Sequence, residues 1–247
     1  MTAAIATFST DELRAKAADS SWKGLYKVGG AAALLSVVFL PIQIFVCLMS
    51  PPPATVVGWF TLLQSNRLVG LIDLDLLLIV DQVLAILIFI ALYVALRRTN
   101  ESFMAIALSF SLVSAALFIA SNPAFAMLSL SDQYAGAGTE AQRAMFLTAG
   151  QAVLVTWQGS AFQASYILGS LAPIIISLIM LQSRTTVFGK STAYVGILAN
   201  VIALGLYVPK IGVYISIFSV VLLWIWYILI ARRLYQLGNT VLSEAIQ

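Results

Sequence analysis

Long apolar runs separated by short polar clusters dominate this chain. The runs are Val28–Ser50, Leu68–Leu96, Phe103–Leu128, Ala161–Gln182, Ala193–Val208 and Val213–Ala231. About 20 apolar residues in a helix cross the hydrocarbon of a bilayer. The pattern therefore predicts an all-α polytopic membrane bundle of six transmembrane helices. Two apolar stretches are shorter. Val56–Leu63 follows the Pro51-Pro52-Pro53 break and carries Trp59 and Phe60, so an interfacial segment is expected there. Ala144–Trp157 is expected to form an external helix after the third span, capped by Thr139 and turning through Gly159-Ser160 into the fourth. Were it a seventh span instead, every later charge cluster would change sides. Ser9-Thr10-Asp11-Glu12 reads as the cap of a short cytoplasmic N-terminal helix. The chain thus divides into a cytoplasmic segment (1–27), a membrane domain (28–235) and a cytoplasmic tail (236–247). The first run is too long, and too far from the start, for a cleaved signal peptide.

Composition narrows the chemistry. The chain is 61% hydrophobic and 9% charged, against about 25% charged in soluble domains. It holds no histidine, which removes imidazole metal ligands and the usual catalytic triads. Cys47 is its single cysteine and reads as a small packing residue. No basic stripe with interleaved aromatics suggests nucleic acid, and no cofactor motif is evident. The basic residues instead report topology. With six spans, Arg14, Lys16, Lys23, Lys27, Arg97, Arg98, Arg184, Lys190, Arg232 and Arg233 share one side, while Arg67, Arg143 and Lys210 take the other. This bias places both termini in the cytoplasm, and a bacterial inner membrane is the expected location. Trp22, Tyr26, Tyr93, Tyr194 and Tyr235 then fall near the inner interface, with Trp59, Trp157, Tyr207 and Tyr214 near the outer one.

Three acids in the second run carry the most information. Asp73, Asp75 and Asp81 sit among Leu, Ile and Val, where an ionised carboxylate costs about 2.5–3.5 kcal/mol near the bilayer centre. On one continuous helix Asp73, Asp75, Asp81 and Gln82 would cover an arc of about 200°. That helix is then expected at the centre of the bundle, with Asp81 deepest. Gln43, Asn122, Gln158 and Gln163 fall in the outer half, Asn200 near the middle, and Arg143 and Lys210 at the outer rim. Gln151, Gln158 and Ser165 are spaced as a polar stripe on the fourth helix. Depth alone therefore gathers Asp73, Asp75, Asp81, Gln82, Asn122, Gln158, Gln163, Asn200 and Lys210 towards a cavity open to the outside. The plainer reading is that these groups join helices by hydrogen bonds. Gly29, Gly30, Gly169 and Gly196 read as close-packing sites, Pro41, Pro123 and Pro173 as kinks, and Trp224, Trp226 and Tyr227 as packing and interface residues.

Several segments resemble a group of uncharacterised bacterial multi-pass membrane proteins classed as a domain of unknown function. They are Asp75–Leu84, Ala91–Asn100, Ala120–Ala135, Ser165–Ser170, Phe188–Asn200 and Leu229–Gly238. The resemblance implies an inner-membrane helical protein and transfers no activity, cofactor or catalytic residue. Several members carry histidine where this chain has Gln163, so no proton or metal role transfers there.

Three functions stay open. A binding protein or transporter would use Asp81 as the ionisable centre for a small polar or cationic solute, although no inverted repeat is visible. An accessory or assembly protein would use the polar groups only as interhelical glue. An intramembrane enzyme would need paired carboxylates, yet no second acid lies in another span.

Overall fold

The computed structural model describes residues 21–183 and 188–243. The expected N-terminal cap at Ser9–Glu12, and Arg184, lie outside them. The described residues are helical throughout, with no strand. Ten helices follow in order: α1 (Lys23–Met49), α2 (Val56–Ser65), α3 (Arg67–Asp73), α4 (Leu76–Leu96), α5 (Glu101–Ser121), α6 (Ala124–Ala135), α7 (Glu140–Trp157), α8 (Ser160–Gln182), α9 (Lys190–Ala203) and α10 (Gly212–Ser243). A turn of 3₁₀ helix, Leu204–Tyr207, extends α9. Among the described residues, six helical segments are long and apolar enough to cross a membrane: Lys23–Met49, Leu76–Leu96, Glu101–Ala135, Glu140–Gln182, Lys190–Tyr207 and Tyr214–Asn239.

Six helices close into a ring, each beside the next: α1, α4, α5, α8, α9, α10 and back to α1. Their directions alternate. Thr99 and Ser183, just beyond α4 and α8, meet across one end of the ring, while Tyr166 of α8 reaches the Ala203 carbonyl across the other half. Lys23, Lys27, Arg97, Arg98, Lys190, Arg232 and Arg233 all gather at the first of these ends. That basic end is solid. Leu92, Leu96, Met104, Ile176, Ile230 and Leu234 are buried there in one apolar core. At the opposite end α2, α6 and α7 build a second, smaller core from Val56, Trp59, Phe60, Leu63, Ala124 and Met127.

Several sequence expectations need correction. The run Leu68–Leu96 is not one helix. It breaks at Leu74–Asp75, where Asp75 takes φ 64°. Asp is among the few residues besides Gly that visit this left-handed region. The polar arc of about 200° therefore does not exist, and α4 is one member of the ring, not its hub; its Val80 and Val83 face outwards. The third run ends at Ser121, because Asn122 leaves helical geometry and Pro123 opens α6. Gln151 and Ser165 lie on different helices separated by the Gln158–Gly159 turn, so they form no stripe. The expected helix capped by Thr139 is present as α7, its Oγ1 accepting from Gln142 N–H at 3.2 Å. Val56–Leu63 is helical, but Trp59 and Phe60 point into the second core, Trp59 edge-on to Trp157. The turn at Pro209–Gly212 is tight, with Lys210 at φ 70°. Beyond Gln236 the helix simply continues to Ser243.

Glycines allow the ring to close. A Cβ on Gly29 would lie 2.5 Å from Ala91 Cβ of α4, and one on Gly196 would strike Ser177 Oγ and Trp226 Nε1. In lipid, where apolar helices gain little from burial against each other, such close approach supplies the packing. Gly29→Leu is therefore expected to destabilise by about 1–3 kcal/mol through overpacking. Thermal unfolding in detergent beside Gly24→Leu, a position with open space, checks this.

Candidate functional site

The site begins with the broken backbone. Breaking a helix frees carbonyls that must find donors away from water. Two side chains distant in sequence supply them. Gln43 Nε2 of α1 donates to Ile72 O at 2.8 Å and lies 3.5 Å from Asp75 Oδ1. Asn122 Nδ2 donates to Leu74 O at 2.9 Å, while its Oδ1 accepts from Ala124 N–H at 2.9 Å and so caps α6. The break is thereby clasped from both sides.

Beyond the clasp, at the end of the ring away from the basic residues, lies a cavity of about 450 Å³. That size is ordinary for small-molecule sites. Leu78, Asp81, Gln82, Ala85 and Phe89 present one face of α4 to it, and Asp75 lies at its edge. The other helices contribute Ser111, Ser114 and Phe118, then Phe162, Ser165 and Tyr166, then Asn200, and finally Ser216, Trp226 and Tyr227. No lysine or arginine is among the lining residues.

Most polar groups here are already partnered. Ser114 Oγ donates to Ser165 O at 2.8 Å and Ser165 Oγ to Ser114 O at 2.9 Å, a reciprocal clamp between α5 and α8. Tyr166 Oη donates to Ala203 O at 2.9 Å and stands 2.8 Å from Ser216 Oγ. Asn200 Nδ2 turns back to Gly196 O at 2.8 Å on its own helix. Asp81 differs. It is 7% exposed, and its buried Oδ1 has no hydrogen-bond partner among the described residues.

The structure sorts the sequence candidates accordingly. Asp75, Asp81, Gln82 and Asn200 line the cavity. Asp73 is buried behind the clasp. Asn122 is consumed in holding the break. Gln158 is exposed and offers only its carbonyl, to Gln163 Nε2 at 3.1 Å, while Gln163 Oε1 accepts from Tyr207 Oη at 2.8 Å. Lys210 is exposed in its turn and Arg143 pairs with Glu140, so neither reaches the acids. Trp226 and Tyr227, assigned from sequence to packing and interface, prove to be buried lining residues. Ser114, Tyr166 and Ser216 carry no sequence signal, because single hydroxyls in apolar helices give no pattern.

Asp75 precedes the α4 span, and burial pushes its carboxyl up to about 7. A hydrogen bond from Trp157 opposes this, and the neighbouring charge of Asp73 adds to it. Burial also raises Asp73, against the Cys47 thiol and Ser50 hydroxyl nearby.

No protein family, curated protein or solved structure matches the chain. What the architecture defines is a class: an all-helical bundle whose composition is compatible with an integral membrane protein.

An acid whose folded pKa is raised favours folding while protonated. The Asp75 contribution is therefore complete below its ordinary value near 3.8 and lost as pH rises through about 7. Asp75→Asn, which keeps a residue tolerant of the left-handed backbone, is expected to flatten that fall. Melting temperatures from pH 4 to pH 8 in detergent measure it.

Proposed function

We propose that this is a bacterial inner-membrane protein that binds a small organic cation in the ring cavity, with Asp81 as counter-charge, on the path of its transport. The observation carrying this reading is an acid lining a cavity with no basic partner. A carboxylate in an apolar bundle is tolerated when something of opposite charge meets it. The walls suit the same guest, because Phe118, Phe162, Tyr166, Trp226 and Tyr227 give aromatic faces that attract cations.

Orientation follows from charge. The solid end holds the basic residues, so the positive-inside tendency turns it to the cytoplasm and the cavity to the outside. The alternative, an accessory protein with polar groups as glue, accounts well for Ser114, Ser165 and Tyr166, which are hydrogen-bonded between helices. It leaves Asp81 without a purpose.

Binding of tetramethylammonium, tetraethylammonium and tetraphenylphosphonium to the protein in lipid nanodiscs tests the proposal by calorimetry. At least one is expected to bind saturably, and Asp81→Asn to weaken it tenfold or more, about 1.4 kcal/mol. The same variant is expected to melt no lower than wild type, since an amide there still meets the neighbouring Ser36 hydroxyl and carries no buried charge. Unaltered affinity in Asp81→Asn, or a loss of about 3–5 kcal/mol in stability as when a buried pair is broken, would assign Asp81 to glue.

A further inference from the structure

A second group of acceptors lies behind the clasp, next to the cavity wall at Asp75. Asp73 is 2% exposed and both carboxylate oxygens are buried without a hydrogen-bond partner. Gln43 is 6% exposed, and its Oε1 is likewise buried and unpartnered. The two are tied into one structure, because Gln43 Nε2 is committed to the carbonyl of Ile72, the residue before Asp73. The Cys47 sulfur stands 3.6 Å from the same Nε2. Asp75 is near enough for its charge and that of Asp73 to repel. No lysine or arginine is among the groups acting on either acid.

The chemistry of this group is one-sided. A proton on Asp73 would supply a single O–H donor and still leave acceptors unfilled. Rotating the Gln43 amide would only set its oxygen against the Ile72 carbonyl. Oxygen acceptors with net negative charge, whose neighbouring donors are only the Cys47 thiol and the Ser50 hydroxyl, are the ligand type of hard cations. Size limits the guest, because Asp73 does not line the cavity and is nine-tenths buried. Charge limits it too, since among the described residues no three of His, Cys, Asp and Glu meet closely enough to hold a metal ion.

We infer that the clasp at the α3–α4 break is a binding site for a small monovalent cation of the sodium type, held by Asp73 with the Gln43 side-chain oxygen. Unwound backbone inside a helical bundle is where such ions are held in many transporters. The site does not depend on the cavity's guest. Asp73 acts as anchor and Gln43 joins the ion to α1, so occupancy would tighten α1 against the broken helix.

Sodium chloride is compared with choline chloride at equal ionic strength, at pH 8, using the melting temperature of the full chain in detergent. Wild type is expected to gain about 2–4 °C with sodium alone, and Asp73→Asn to lose that gain. In wild type, sodium is also expected to slow alkylation of Cys47 by N-ethylmaleimide, a readout that needs no variant. If Asp73→Asn fails to fold, the sodium-dependent alkylation of Cys47 in wild type alone decides. Equal shifts in sodium and choline, a sodium shift that survives in Asp73→Asn, or unchanged alkylation of Cys47 would each overturn the inference. Failure here leaves organic-cation binding at Asp81 untouched, because that assay reads a different acid and is run in choline-free, sodium-free buffer.

Discussion

Everything at the cavity end depends on two carbonyl groups. A break in an apolar helix is tolerable only if the carbonyls around it are bonded: Asn122 bonds Leu74 O, and Gln43 adds a second donor to Ile72 O, which also accepts from Asp75 N–H at 2.9 Å. The two side-chain bonds join distant parts of the chain, from α1 to α3 and from the α5–α6 corner to the start of α4. Losing a partner to a buried carbonyl costs about 1–3 kcal/mol, a sizeable part of a typical protein's stability. The two bonds therefore fix where α4 begins, and with it the face that carries Asp81 and Gln82.

The glycines set the other end. Gly29 against Ala91, and Gly196 against Ser177 and Trp226, bring neighbouring helices into close contact towards the basic end. The bundle is consequently asymmetric. One half is packed with aliphatic side chains, and the other keeps a polar and aromatic hollow. Saturated hydroxyls such as the Ser114–Ser165 clamp hold the hollow's walls, leaving Asp81 as the lining acid with a buried oxygen that no protein group satisfies.

The helical spans were legible because apolar run length is a strong, local signal. The acids were legible for the same reason, since a carboxylate among leucines stands out whatever the fold. What misled was continuity. The mostly apolar run from Leu68 to Leu96 conceals a break at Asp75, a residue able to adopt φ 64°. The donors that permit the break lie 29 and 48 positions away along the chain, beyond the reach of any periodicity. Gln43 and Asn122 were visible as polar residues of similar depth, but depth does not distinguish a ligand-facing amide from one bonded to backbone. Hydroxyls and aromatics of the lining were hidden because Ser, Tyr and Trp are unremarkable in such helices.

The ring is solid at its base and hollow at its rim, which gives it the mechanics of a cup with a fixed foot. A helix the length of α4 is about 31 Å long. Pivoting it by about 5° at the packed end moves its rim by roughly 3 Å, about the width of one water molecule, with little displacement at the base. Leaning single staves would widen the cup, and the broken stave, α3 with α4, would have to carry Gln43 and Asn122 with it or give up their bonds.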